Sequence, residues 1–428
     1  MLTRLDLRGL GVDVASSLPR PNELGDGPSE RVRAIIAEVR ADGDDALRRF
    51  TAELDGVEVA SIAVARSDIE AALDRTPANV RSALTASIER VRAFHEHQVP
   101  ADTIVESDGM TIRSYAKPVG SVGCYVPGGR AAYPSTLIMT VIPARVAGVE
   151  RVVVCVPPDR ATGRVADVTL AAAALAEVDD VYSIGGAQAI AALAYGTASV
   201  APVDVICGPG NSYVAVAKQQ VAGRVAIAAA FAGPSEIVVV ADQSAPSDFV
   251  AIDLMVQAEH GPDGLAWMVC WDDATADAVD ASLERLVAVA PRAGEIRSTL
   301  STAGISVICD GPEAALAVVN AIAPEHLQLM CANPEALVPG VENAGAIFCG
   351  PWAPASLGDY AAGPSHVLPT HGSARFSSAL TVGDFVKHHH VVTCDRAGFD
   401  ALAPIVETLA SAEGLMAHAE SIRLRRES

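Results

Sequence analysis

The strongest constraint on this chain is a repeated alternation of short, nearly all-apolar segments with Ala-rich stretches of helical periodicity. Arg151–Val156 (RVVVCV), Asp180–Ile184, Asp204–Cys207 and Glu236–Ala241 (EIVVVA) are dominated by Val, Ile and Cys and present no consistently polar face. A half-exposed strand alternates apolar and polar residues, so runs without that alternation belong to strands buried on both sides. Between them, 168–177, 187–195 and the stretch from Ser247 to His260 carry helical signals. Strand–helix–strand alternation of this kind builds a parallel sheet layered by helices. The series occurs twice, first from 120 to 211 and again from 236, with further strands at 266–271, 305–309 and 345–349.

The fold expected is therefore α/β, with two open, mostly parallel, Rossmann-like domains. Residues 1–20 read as an N-terminal extension. Residues 21–119 join 236–375 in the first domain, and 120–235 form the second. A helical tail occupies 376–428: the strand signal fades beyond about 375, and 399–421 is a helix interrupted at Gly414. Apolar spacing at Val32, Ile35, Ile36 and Val39, and again over 68–98, adds helices near the N-terminus. At 428 residues more than one core is expected. The formal charge of −21 and a pI near 4.8 argue against nucleic acid or an anionic membrane as partner. No run approaches the roughly 20 apolar residues of a membrane helix, and the N-terminus lacks a signal-peptide core, so a cytoplasmic location is expected. The eight cysteines show no Cys-x-x-Cys spacing and read as buried thiols, with Cys124 kept open because it lies in a Gly-rich segment beside Tyr125.

Polar residues gather in short Gly- or Pro-bearing segments, where chemistry usually sits. Gln257 and His260 stand three apart at the end of a helical pattern, so both groups project from one face; imidazole and an amide oxygen suit zinc. Gly185–Gln188 and Gly208–Asn211 end strands and open helices, the place where α/β sheets bind ligands, although neither matches the dinucleotide fingerprint. Ser235 is either a substrate hydroxyl or a turn residue. Glu325 and His326 adjoin each other among Ile322, Leu327, Leu329 and Met330, a half-buried setting that moves pKa values toward neutrality. As sequence neighbours they need not point the same way, which favours a relay through water over a direct pair. Asp359 and His366 share a turn-rich loop. Glu413 and His418 would diverge by about 140° on an unbroken helix, so a shared site needs distortion near Gly414 or has to wrap the helix. The run His388–His390 reads as surface, as do His95 and His97.

Together these pieces resemble one family, the histidinol dehydrogenases. The resemblance extends from about Arg31 to Ser421. It rests on YVPGG (125–129), YPSTLIM (133–139), GGAQAIAALAYGT (185–197), GPGN (208–211), AGPSE (232–236), QAEHGPD (257–263), APEHLQL (323–329), GDYAAGPSHVLPT (358–370), ARFSSAL (374–380) and AEGLMAHAESI (412–422). It implies a zinc- and NAD-dependent homodimer that oxidises L-histidinol to L-histidine through L-histidinal, using two NAD+. The metal ligands implied are Gln257, His260, Asp359 and His418, the last supplied across the dimer. Substrate contacts fall on Ser235, His326, His366 and Glu413 together with the four ligands, and NAD contacts on Tyr125, Gln188 and Asn211. Glu325 and His326 are the implied catalytic pair: His326 takes the alcohol proton and Glu325 activates the hydrating water. By the same resemblance, the first domain carries most of the site, the second the NAD, and the tail the dimer contact. The chain departs from the pattern at Ala228–Phe231, Ala362, Ser365 and Ala379. The alternatives are a related dehydrogenase of another small polar alcohol, such as a sulfopropanediol, and a non-catalytic two-domain binding protein.

Overall fold

The computed structural model describes residues 1–19, 28–128, 131–229, 235–259 and 264–427. The chain opens with strand β1 (Thr3–Asp6), followed by helices α1 (Ser29–Asp42), α2 (Asp44–Phe50), α3 (Arg66–Arg75) and α4 (Ala78–Glu96). Strands β2 (Thr103–Ser107) and β3 (Met110–Pro118) form a hairpin. Then come β4 (Ser121–Tyr125), α5 (Pro134–Val146), β5 (Arg151–Val156), α6 (Asp167–Leu175), β6 (Asp180–Ser183), α7 (Gly186–Tyr195), β7 (Val205–Cys207), α8 (Ser212–Val221) and β8 (Ala226–Ile227). The second series is β9 (Glu236–Ala241), α9 (Ser247–Ala258), β10 (Leu265–Cys270), α10 (Asp273–Val289), α11 (Ala293–Ala303), β11 (Gly304–Ile308), α12 (Pro312–Ile322), β12 (His326–Met330), β13 (Ala346–Cys349) and α13 (Ala355–Tyr360). Strand β14 (Val386–Cys394) and helices α14 (Arg396–Ala412) and α15 (Met416–Arg426) complete the chain.

Two parallel sheets result, ordered β6-β5-β4-β7-β8 and β1-β11-β10-β9-β12-β13. In each, the first strand of the series lies centrally, the next two stack to one side, and the chain then crosses back to add two on the other. This is the strand order of a dinucleotide-binding half, and its switch points fall between β4 and β7 and between β9 and β12. The all-apolar runs are explained by burial from both faces: Val152, Val153, Val154 and Cys155 of β5 are each 0 % exposed. The mixed α/β architecture with parallel sheets is as the sequence implies.

The chain divides into two compact units: Met1–Gln98 with Gly120–Phe385, and Val99–Val119 with Val386–Ser428. These boundaries differ from those read in the sequence. Residues 1–20 are not a mere extension, because β1 pairs in parallel with β11 at the sheet edge and Val14 is buried in the core under α12. The helices between 28 and 98 pack on the five-stranded sheet's helices, α1 on α7 and α8, α3 on α6, and α4 on α5 and α6. Val32, Ile35, Ile36, Leu47 and Phe50 share one core with Ile190, Leu193 and Val214, which local periodicity could not reveal. A strand exists beyond 375 after all: β14 pairs antiparallel with β3 along its whole length. His388–His390 lie in it, exposed as expected. His95 corrects its surface reading: it is buried, with Nδ1 2.7 Å from the Val91 carbonyl. Cys124 is buried within β4, and all eight cysteines are free thiols.

In the second unit, Asp395 caps α14 by accepting from the Gly398 amide at 2.8 Å, and Gly414, with φ at +73°, breaks the expected single helix into α14 and α15. Ile405, Leu409, Met416 and Leu424 are exposed on these helices. Among the described residues, no helix is long and apolar enough to cross a membrane. Deleting residues 1–18 should lower the melting temperature and cause concentration-dependent light scattering, because a bare β11 edge templates association. A truncated chain that melts like the full one and stays monodisperse would show that β1 is dispensable.

Candidate active site

Helices that follow strands of a parallel sheet return to the sheet's opposite edge, so the strand N-terminal edge collects helix C-termini. The polar cluster of the six-stranded sheet lies at that edge. Because β9 and β12 pair in register, with His326 opposite Ile237, their first residues converge across the switch point. Glu325 Oε2 accepts hydrogen bonds from Ser235 Oγ at 2.8 Å and from the Glu236 amide at 2.7 Å. His326 Nδ1 donates to the Glu236 carbonyl at 3.0 Å and lies 3.4 Å from Glu325 Oε2. The two neighbours thus reach the same group directly, rather than only through water. On the far side of the ring, Nε2 is 3.5 Å from Asp359 Oδ1, and Phe348 stacks on the imidazole at 6.0 Å. Burial opposes protonation of His326, but the charge of Glu325 and the hydrogen bonding and charge of Asp359 outweigh it and raise its pKa well above the ordinary value.

Asp359, near the end of α13, and His366 are held together on the following loop: His366 Nδ1 lies 2.9 Å from the Asp359 carbonyl. His366 Nε2 meets Thr136 Oγ1 at 3.2 Å, so the first turn of α5, at the C-terminal edge of the five-stranded sheet, borders the cluster. Burial lowers the His366 pKa. Ser365, one of the departures noted above, donates to the Met139 carbonyl at 2.9 Å and is buried, which gives it a packing role.

Glu236 was not singled out by the sequence, although it adjoins Ser235. Each of its polar groups holds a different residue: the amide holds Glu325, the carbonyl holds His326, and Oε1 accepts from the His371 amide at 3.0 Å. Burial, then the charge of Glu325, raises its pKa to about 7. Asp253 of α9 is likewise pushed by burial to about 6, tempered by hydrogen bonding from Gln328. No lysine or arginine forms an ion pair with Glu236 or Glu325 among the described residues. One turn beyond Asp253, Gln257 is 1 % exposed, and among the described residues both atoms of its amide lack a hydrogen-bond partner. An unsatisfied buried amide is costly, and this one sits at the C-terminal end of α9, where the helix dipole favours a cation. It fits a metal ligand.

His260 lies outside the described residues. Glu413 and His418 belong to the second unit, Glu413 capping α14 and His418 in the first turn of α15. Among the described residues no three His, Cys, Asp or Glu side chains form a metal group.

The implied cofactor residues lie at the opposite kind of edge, where strands of the five-stranded sheet end and helices begin. Tyr125 ends β4, and its hydroxyl accepts from the Gly186 amide at 3.1 Å. Gln188, in the first turn of α7, is 0 % exposed with both amide atoms unpartnered. Asn211 caps α8, accepting from the Val214 amide at 3.1 Å. Gly208 begins the turn between them with φ at +102°, and a Cβ there would collide with the Tyr125 carbonyl, so only glycine fits.

Paired sheets of dinucleotide-binding strand order, one bearing a buried carboxylate–imidazole cluster, define a two-sheet α/β enzyme. The family model described as histidinol dehydrogenase matches residues 19–426. A histidinol dehydrogenase of Moorella thermoacetica is 46 % identical over 406 residues, covering 94 % of this chain and 95 % of the relative. One from Pseudomonas aeruginosa is 46 % identical over 404 residues, covering 94 % and 91 %. The crystal structure of histidinol dehydrogenase from Elizabethkingia anophelis superposes with a TM-score of 0.94 at 31 % identity, covering 100 % of this chain and 98 % of that one. The chain belongs to the histidinol dehydrogenase family, as its motifs imply, and is an NAD-dependent dehydrogenase.

The raised pKa of Glu236 has a thermodynamic sign. Its folded value of about 7 exceeds the unfolded 4.5, so the folded state binds more protons and this group's contribution to stability is lost as pH rises through 7. Glu236→Gln should therefore gain in melting temperature relative to the parent between pH 5 and pH 8. A difference independent of pH would show that Glu236 does not titrate in this window.

Proposed function

We propose that the chain oxidises L-histidinol to L-histidine through L-histidinal, reducing two NAD+ and using one zinc ion per site. The observation that carries this reading is the joint fixing of Glu325 and His326 by Glu236, beside the orphaned amide of Gln257. His326 Nδ1 is tied to a carbonyl, so proton exchange with the substrate alcohol falls to Nε2. Glu325, oriented by Ser235 and the Glu236 amide, is the base for the water that hydrates the aldehyde. Ser235 and His366 contact the substrate, and His366 is kept uncharged by burial, suited to hydrogen bonding.

Gln257, His260, Asp359 and His418 of the partner subunit would hold the zinc, which when bound anchors and orients the substrate's imidazole and amine. An edge rich in carboxylates and helix C-termini supports a cation there. NAD+, bound near Tyr125, Gln188 and Asn211, accepts the hydride. The exposed apolar residues of α14 and α15 support a homodimer in which Glu413 and His418 serve the partner's site, and the break at Gly414 relieves the divergence expected of an unbroken helix. The location proposed is cytoplasmic.

Zinc-loaded protein should form two NADH per L-histidinol and yield histidine, and chelation should abolish turnover; no turnover with that substrate would refute the assignment. His326→Asn should lower kcat by on the order of 10²–10⁴ with the fold and metal content unchanged, and retained turnover would remove His326 from the reaction. Mixing Gln257→Ala with His418→Ala chains should restore some activity if sites are shared. Heterodimers that form yet stay inactive would count against the shared site.

A further inference from the structure

Lys218, in the second turn of α8, is 2 % exposed. Its ammonium turns back toward the start of the helix and donates to the Gly208 carbonyl. Among the described residues no carboxylate pairs with it. Facing it is the thiol of Cys207 of β7, whose Sγ lies 3.7 Å from Cys124 Sγ of β4. Asp384 acts on Cys207 from the segment after Thr381, but its carboxylate is occupied by the Thr381 amide and hydroxyl at 2.7 and 3.0 Å. An unpaired cation in such a place is costly, and an apolar side chain would pack there with less penalty. What marks the position is its location. Gly208 opens the turn at the β4–β7 switch point, where the N-terminus of α8 is directed and where ligands of such sheets bind.

We propose that Lys218 is a positioning residue for the cofactor: its buried ammonium, held behind the Gly208–Asn211 turn, fixes that turn and attracts the pyrophosphate of the dinucleotide. This rests on the reading that NAD+ occupies the edge at Tyr125, Gln188 and Asn211. The Gly208 carbonyl stands between ammonium and ligand, so the action is electrostatic rather than a direct contact. Burial lowers the Lys218 pKa to about 8. The charge is present at neutral pH and is lost as pH rises through that value, and binding an anion raises the pKa again.

The test is NAD+ affinity, measured calorimetrically from pH 6.5 to 9.5 on the full chain and on Lys218→Met, with adenosine as a probe lacking phosphate. Wild-type affinity for NAD+ should fall on the order of tenfold as pH passes 8, a magnitude typical of one nearby charge. K218M should bind NAD+ about tenfold more weakly at pH 7, without that pH dependence, while adenosine binding stays unchanged in both. Apo K218M should melt at or above the wild-type temperature, since an unpaired charge is gone. A K218M that binds NAD+ normally overturns the proposal, as does one that loses stability and adenosine binding together. If K218M does not fold, the wild-type series decides, and a flat profile overturns it. Asn211→Ala tests the underlying reading separately: unchanged NAD+ affinity there would remove the cofactor from this edge whatever K218M shows.

Discussion

The direction of the strands in a parallel sheet governs the electrostatics of this molecule. Most strands feed a helix N-terminus at their C-terminal end and receive a helix C-terminus at their N-terminal end, so the two edges of one sheet carry opposite partial charge. The five-stranded sheet turns its positive edge toward the region of Thr136 and His366. The six-stranded sheet offers its negative edge there, with Gln257 at the foot of α9 and Asp359 at the end of α13. Two sheets of the same strand order can therefore divide the work: one suits an anionic dinucleotide and the other a cation. Ligands usually occupy the C-terminal edge of such sheets, and the Glu325–His326 cluster lies at the opposite, N-terminal edge.

The carboxylate cluster is maintained against its own repulsion. Glu236 and Glu325 are both buried, and among the described residues no lysine or arginine neutralises them. Donors hold them instead: the Ser235 hydroxyl, the Glu236 amide and the His371 amide. Hydrogen bonding to the charged form offsets part of the burial penalty. The remainder is the kind of strain that proteins place at functional sites. Because the Glu236 backbone holds both Glu325 and His326, a side-chain substitution there disturbs charge without releasing the geometry.

Much of this was legible in the sequence, and the limits are physical. Unalternating apolar runs fixed the parallel sheets, since only strands covered on both faces tolerate them. The segments bearing Ser235, Gln257, Glu325–His326, Asp359 and His366 were readable as motifs, and all but Gln257's neighbour His260 can be placed. What escaped was information carried by long-range packing. Nothing local in Val32 or Phe50 says they pack on α7 and α8, and a four-residue strand such as Thr3–Asp6 gives too short a pattern to distinguish from a loop. His95 escaped because one polar residue on an apolar helix face has no signature. The roles of Glu236 and Lys218 depend on what surrounds them in three dimensions: each is an ordinary charged residue in sequence and, in the fold, a buried one with no ion-pair partner among the described residues.

The pairing of β1 also bears on how the chain folds as it is made. Thr3 lies opposite Ile305, so β1 is made about three hundred residues before its partner exists. The five-stranded half, complete by Ile227, can form its core with α1–α4 long before then. Synthesis would thus run past an assembled five-stranded half while the six-stranded half remains open at its edge. The closing contact of such a non-local sheet is slow to form, and it joins two segments synthesised far apart in time.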